Sequence, residues 1–101
     1  MVIHWHPSAL DELNKAIYYV NDNFGSMVAT KVLDEIEEAV KQLSLFPNLG
    51  KIEFQKEGIE YRVLHSKFNR IVYYVTSDSI EIVVFWNNRR DLKKLKQIVE
   101  N

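Results

Sequence analysis

All four arginines of this 101-residue chain fall after residue 60. Arg62 and Arg70 come first, and Arg89 and Arg90 stand together in FWNNRRDLKKL at residues 85–95. A guanidinium is planar, permanently charged and able to hold a carboxylate or a phosphate through parallel hydrogen bonds. The arginines therefore predict either a site that handles phosphate or a surface that binds the carboxylates of a partner.

The basic character of the chain is local. Residues 1–60 carry five lysines against ten acidic residues, whereas residues 61–101 carry eight basic residues against four acidic ones. The net charge of −1 argues against a constitutive nucleic-acid binder. No apolar run approaches the roughly 20 residues of a membrane helix, and we expect a cytoplasmic protein.

Other chemistry finds little support in the sequence. There is no cysteine, no G-x-S-x-G motif and no glycine-rich phosphate loop. His4 and His6 form an i, i+2 pair that can bind a metal from one face of a strand, but we expect no acidic partner nearby, and His65 is far off in sequence. Two ordinary polar positions are the favoured interpretation, so we predict no metal site and no cofactor.

Two amphipathic helices are indicated in the first half of the chain. The first begins at Pro7, where Ser8 with Asp11 resembles a capping box. Gly25 ends it, and Ser26 is predicted to cap the second helix. With one residue between them, the helices should form an antiparallel hairpin. The apolar stripes are Leu10, Leu13, Ile17, Val20 and Phe24, then Ala29, Leu33, Ile36, Val40 and Leu43.

Strands are indicated on both sides of this hairpin. VIHW at residues 2–5 predicts a first strand, and PNLGKIEFQKEG at 47–58 predicts a loop with at most a short strand. An antiparallel meander follows at 59–65, 68–76 and 79–86, and the tail after residue 88 predicts a short helix. The whole chain, 1–101, is then one α+β domain of order β-αα-βββ-α. The N-terminal strand and helical hairpin pack on a mainly antiparallel sheet, with a short C-terminal helix at the end.

This order places some of the arginines together. Alternation puts Arg70 on the same side of its strand as Val72 and Tyr74, and a meander brings its start near Arg89. Such a cluster suggests an anionic ligand. The alternative is that each guanidinium is solvated or paired with a nearby acid. Likewise the interleaved aromatic residues either stack on bases or belong to the core; they are Tyr61, Phe68, Tyr73, Tyr74, Phe85 and Trp86.

Four motifs accompany this order of elements: FPNLGK closes the second helix, YRVL opens the meander, FNRIVYYV lies in its middle strand and NNRRD follows its last strand. The order of elements, together with these motifs, resembles the RelE/ParE superfamily. These are toxins of bacterial type II toxin–antitoxin pairs, which are involved in plasmid stabilisation. The resemblance implies a cognate antitoxin and growth inhibition. It implies one of two targets, ribosome-bound mRNA cut in RelE-like members or DNA gyrase inhibited in ParE-like members.

The resemblance also assigns residues. Arg62, Arg70 and Arg89 match phosphate-binding positions of the endoribonucleases, and would be catalytic only in that case. Leu64, Asn87 and Leu95 stand where members have basic, histidine and tyrosine residues, so no proton shuttle is evident. Lys93 or Lys94 would have to substitute with a lowered pKa. Nucleic acid or a protein partner is expected to contact Asn87, Arg90, Lys93 and Lys94.

The missing proton shuttle and the long hairpin favour a ParE-like toxin that acts on gyrase and is neutralised by its antitoxin. The alternatives are a RelE-like, metal-independent mRNA endoribonuclease and a degenerate, non-toxic antitoxin-binding module. Whether the chain is an enzyme is left open by the sequence. A homodimer or a heterotetramer with the antitoxin is compatible with the apolar sheet face.

Overall fold

In a computed structural model the chain forms seven elements within residues 1–66 and 69–87, the part that the structure describes. The C-terminal helix predicted after residue 88 lies outside this part. The elements are β1 (Val2–Trp5), α1 (Pro7–Phe24), α2 (Ser26–Leu45), β2 (Lys51–Lys56), β3 (Ile59–His65), β4 (Asn69–Val75) and β5 (Ser79–Asn87).

The strands form one five-stranded mixed sheet of order β1-β5-β4-β3-β2. β1 pairs with β5 in parallel, and the other neighbours are antiparallel. The α+β class is confirmed. Where the sequence predicted a loop with at most a short strand, β2 adds a full edge strand. All six of its residues are exposed, which explains why it lacks the alternation that reveals a half-buried strand.

The antiparallel hairpin of α1 and α2 is confirmed, but both predicted caps are wrong. His6 is the N-cap of α1 and makes no side-chain cap hydrogen bond. Pro7, with its fixed φ, occupies the first helical position, so Ser8 already lies inside the helix. Gly25 has φ of 89° and serves as the boundary of both helices, which makes Ser26 the first residue of α2. No described helix is long and apolar enough to cross a membrane.

The hairpin packs on one face of the sheet, called here the inner face. The predicted stripe of α1 is partly wrong, because Ala9 and Ala16 are buried while Leu10 is 43% exposed. Small residues let the helices approach each other and the sheet closely. The strand residues of the core are Ile71, Tyr73, Ile80, Ile82 and Phe85.

A bulge in β5 sets which side chains reach this core. Val72 pairs with Val84 but the next residue, Tyr73, pairs with Ile82, so one residue of β5 is extra. The side-chain parity therefore reverses within the strand. Phe85 points to the inner face and is 1% exposed, whereas Trp86 is 48% exposed on the opposite, outer face.

Tyr73 ties the core to the loop between α2 and β2. Its ring is buried, and its hydroxyl donates to the Pro47 carbonyl and accepts from the Gly50 N–H, both at 2.8 Å. A Cβ on Gly50 would lie 2.9 Å from the Tyr73 ring, its hydroxyl and the Val63 carbonyl. Glycine is therefore required here by close approach, not by its φ. Burial raises the pKa of the Tyr73 hydroxyl, which stays protonated and bonded at neutral pH.

Tyr73→Phe keeps the ring and removes only the hydroxyl. We expect it to lower the free energy of unfolding by about 1–3 kcal/mol, because a partly buried carbonyl and a buried N–H lose their shared partner. Urea denaturation at pH 7 measures this. Tyr18→Phe is the control, since Tyr18 is 71% exposed. An equal change in both variants would contradict the assigned role of the Tyr73 hydroxyl.

Candidate functional site

Arg70 lies on the outer face of β4 and is exposed. Its cross-strand partner is Trp86 of β5. The guanidinium carbon stands 5.2 Å from the centroid of the Trp86 ring, within the range of a cation–π interaction. Both side chains remain accessible, so one planar cation and one large indole are presented together to solvent.

Arg62 is placed differently. It pairs with Tyr73 and so points to the inner face. Its Nη1 donates to the carbonyl of Gly50 at 2.8 Å and to that of Asn48 at 3.4 Å. Arg62 therefore holds the loop before β2, and the structure does not bring it to Arg70.

Asn87 is one register position from the Arg70–Trp86 pair but points to the opposite, inner face. It pairs with Asn69 at the end of the β4–β5 ladder, and its Nδ2 donates to the Asn69 Oδ1 at 2.6 Å. Asn69 is 7% exposed and belongs to the inner-facing set of β4. The remaining predicted site residues, Arg89, Arg90, Lys93 and Lys94, lie outside the described residues.

Aromatic rings form a row across the outer face. Phe54 stacks on Tyr61 with centroids 4.8 Å apart, and Tyr61 meets the edge of Tyr74 at 5.7 Å. The ring centroid of Tyr74 is 6.3 Å from that of His6, and the His6 centroid is 5.9 Å from that of His4. The row crosses from the β2 edge to the β1 edge. Of the predicted aromatic residues, Tyr73 and Phe85 belong to the core, whereas Tyr61 and Tyr74 lie in this row on the outer face.

Glu81 of β5 completes this row. Its Oε1 lies 3.0 Å from His4 Nδ1 and 3.2 Å from His6 Nε2, and its Oε2 accepts from the Ser79 hydroxyl at 2.9 Å. The expectation that the histidine pair has no acidic neighbour is wrong, because parallel pairing of β1 with β5 puts His4 opposite Glu81. The Ser79 hydrogen bond, and then those of His6 and His4, lower the pKa of Glu81.

These contacts give the outer face an accessible row of aromatic, histidine and carboxylate side chains. Within residues 1–66 and 69–87, no group of three or more His, Cys, Asp or Glu side chains is suited to hold a metal ion. His65 is bonded to Glu53 at 2.6 Å on the outer face, so its ring too has a carboxylate partner. An open cleft of about 480 Å³ lies where β3 begins and β4 ends, lined by Asn48, Gly58, Ile59, Glu60, Arg62, Tyr74, Val75 and Thr76.

The fold has a counterpart among solved structures. A chain of the chromosomal ParDE toxin–antitoxin system from P. aeruginosa superposes with a TM-score of 0.67 at 19% identity. The match covers 86% of this chain and 95% of the other. At that identity the likeness concerns the fold alone. No curated protein matches this chain in sequence.

The sequence itself gives the family. Residues 3–92 match the family described as ParE toxin of type II toxin–antitoxin system, parDE. Because this match spans most of the chain, the protein belongs to the ParE toxin family, and the resemblance to the RelE/ParE superfamily is confirmed. It is a toxin of the type II class.

Arg62→Ala and Arg70→Ala should separate a structural arginine from an exposed one. We expect Arg62→Ala to lower the free energy of unfolding by about 1–3 kcal/mol, because the Gly50 carbonyl loses a charged donor. Arg70→Ala should change it by less than about 1 kcal/mol, as a solvent-exposed cation–π pair contributes little. Urea titrations of both variants test this. A reversed order would contradict the contacts described above.

Glu81→Gln should change how stability depends on pH. A carboxylate with a lowered pKa stabilises the native state above its ordinary pKa of about 4.5, and this stabilisation is lost as pH falls through the lower, folded-state value. The variant should be less stable than the wild type at pH 7, and the difference should shrink below pH 4.5. Denaturant titrations between pH 3 and pH 7 measure it, with Glu37→Gln on the exposed side of α2 as control. A difference that is constant over this range would refute the linkage.

Proposed function

We propose that this toxin stops growth in the bacterial cytoplasm by acting on DNA gyrase, and so on replication. We also propose that a cognate antitoxin, encoded beside the toxin, neutralises the toxin. The family match supports this, because it is to ParE toxins rather than to their RelE-like relatives. A plasmid-stabilisation role and a heterotetramer with the antitoxin, or a homodimer of the free toxin, follow as expectations from the same membership.

The separation of Arg62 from Arg70 is the observation that carries this choice. Cleavage of mRNA through a pentacoordinate phosphate needs several cations directed at the same oxygens. Here one guanidinium is bonded to backbone carbonyls on the inner face, and the other stacks on Trp86 on the outer face. Asn87, in place of a histidine, cannot transfer protons near neutral pH.

One observation favours the RelE-like alternative. Arg70 and Trp86 together offer a cation for a phosphate and an indole on which a base can stack. If Arg89 joins them, as its position after β5 suggests, mRNA cleavage becomes chemically feasible without a metal. Proton transfer would then fall to Lys93 or Lys94, and Arg90 would add charge for the nucleic acid.

Pulse-labelling after tightly controlled induction distinguishes these targets. We expect thymidine incorporation to fall before methionine incorporation, because gyrase inhibition stops replication while existing mRNA is still translated. Purified toxin should also inhibit gyrase supercoiling of relaxed plasmid DNA and leave mRNA intact in a translation extract. The matched control is the double variant Arg70→Ala/Arg89→Ala, which should still inhibit supercoiling.

An early collapse of methionine incorporation, with mRNA cleavage that the double variant lacks, would replace the gyrase proposal with the ribonuclease one. No growth effect on induction, together with tight binding of the neighbouring gene's product, would show instead a degenerate module that only binds an antitoxin.

A further inference from the structure

Four exposed apolar side chains lie in the stretch from the end of α2 to the start of β2, called here the 45–52 corner. Leu45 is 63% exposed, Phe46 59%, Leu49 51% and Ile52 44%. A turn with the Leu49 N–H donating to the Phe46 carbonyl at 3.0 Å folds the corner back on itself. Exposed apolar side chains concentrated in so short a stretch, rather than scattered singly, are typical of interaction sites.

The backbone of this corner is held by hydrogen bonds from two side chains of the sheet. The Tyr73 hydroxyl bridges the Pro47 carbonyl and the Gly50 N–H, and Arg62 donates to the Gly50 and Asn48 carbonyls. Two side chains from the sheet are thus committed to a loop whose own apolar side chains point into water. Holding apolar groups in solvent gains nothing for the free protein. It lowers the ordering cost of a partner that binds there.

Charge indicates the chemistry of that partner. Between residues 39 and 52 the only charged side chains are Lys41 and Lys51, one helical turn before Leu45 and next to Ile52. Arg62 adds a third positive charge beside Gly50. In residues 1–66 and 69–87, no carboxylate makes an ion pair with any of the three.

We propose that the 45–52 corner is the docking surface for an amphipathic segment of the antitoxin, in which apolar side chains are flanked by aspartate or glutamate. The apolar side chains of the segment cover Phe46 and Leu49, and its carboxylates meet Lys41 and Lys51. This inference rests on the proposed neutralisation by an antitoxin and adds where it binds and by what chemistry. Nucleic acid fits less well, because apolar side chains outnumber the cations.

The test measures affinity between the purified toxin and the product of the adjacent antitoxin gene by calorimetry. Phe46→Ser/Leu49→Ser should weaken binding at least tenfold, as loss of central apolar contacts does in other interfaces. The matched control is Met27→Ser, since Met27 is 86% exposed at the other end of α2. It should leave the affinity within about twofold. Circular dichroism checks that each variant is folded.

Charge reversal provides a second variant that does not touch the apolar contacts. Lys51→Glu should weaken binding several-fold at low salt, and the loss should diminish as the salt concentration is raised, because the carboxylates would be screened. Lys31→Glu, on the first half of α2, is the control and should have little effect.

The outcomes separate this inference from the function on which it rests. If the wild type does not bind the neighbouring product, the antitoxin proposal fails and this inference fails with it. If binding is tight but unchanged in Phe46→Ser/Leu49→Ser and in Lys51→Glu, the antitoxin proposal stands and the corner is not its docking surface. Two further results would assign the corner to another occupant. One is self-association of the free toxin that Phe46→Ser/Leu49→Ser abolishes. The other is binding of a DNA oligonucleotide that Lys51→Glu abolishes.

Discussion

The bridge made by the Tyr73 hydroxyl links the core of this protein to its surface. Its ring belongs to the core under the helical hairpin, and its oxygen joins the two ends of the loop that connects α2 to β2. A buried hydroxyl must find partners, since an unsatisfied one costs more than a typical hydrogen bond gains. The two hydrogen bonds that satisfy the Tyr73 hydroxyl therefore also fix the direction in which the chain leaves α2 and enters β2.

The two faces of the sheet differ in composition because the helical hairpin covers only the inner one, and the β5 bulge decides which β5 residues point to each face. Inner-facing residues are mostly apolar and buried against the helices, and the polar ones, Tyr73, Arg62 and the Asn69–Asn87 pair, are hydrogen-bonded. On the outer face two carboxylates are hydrogen-bonded to histidines. Glu81 contacts His4 and His6, and Glu53 contacts His65. This pairing leaves Arg70 as an accessible cation, stacked on Trp86, on a surface of aromatic and branched side chains.

Local patterns predicted the elements well because helix and strand periods are strong signals. The β3 boundaries agree with the structure, and Ala29, Ile36, Val40 and Leu43 of the predicted α2 stripe are buried, since a half-buried strand and a helix beside a core repeat at 2 and 3.6 residues. The α2 stripe missed Val28 and Val32, which are also buried. Strict alternation fails in SIEIVVFW, where it would bury Trp86 and expose Phe85. A bulge cannot be recognised from the sequence of a run of branched and aromatic residues. The capping errors have a similar origin, because Ser8 and Ser26 are good caps locally but Pro7 and Gly25 already define where the helices begin.

The candidate site was less predictable because it depends on which face each strand presents. Arg62 and Arg70 look alike in sequence, yet their registers with Tyr73 and Trp86 send them to opposite faces of the sheet. The Glu81 contact needed the parallel β1–β5 pairing, which joins residues far apart in the chain. Neither relation is encoded in a spacing that a single sequence reveals.

The same geometry constrains how one partner can block the toxin. The 45–52 corner is held by Arg62 and Tyr73, whereas the Arg70–Trp86 pair stands on the other face, three register positions along β3 and β4. A compact domain docked on one face cannot cover both. If an antitoxin binds the corner and also covers the outer face, it must cross from one side of the sheet to the other, and the exposed edge strand β2, which follows the corner in the chain, offers one such path. A segment that folds as it binds meets that demand, because it can wrap a large surface while each part makes only local contacts.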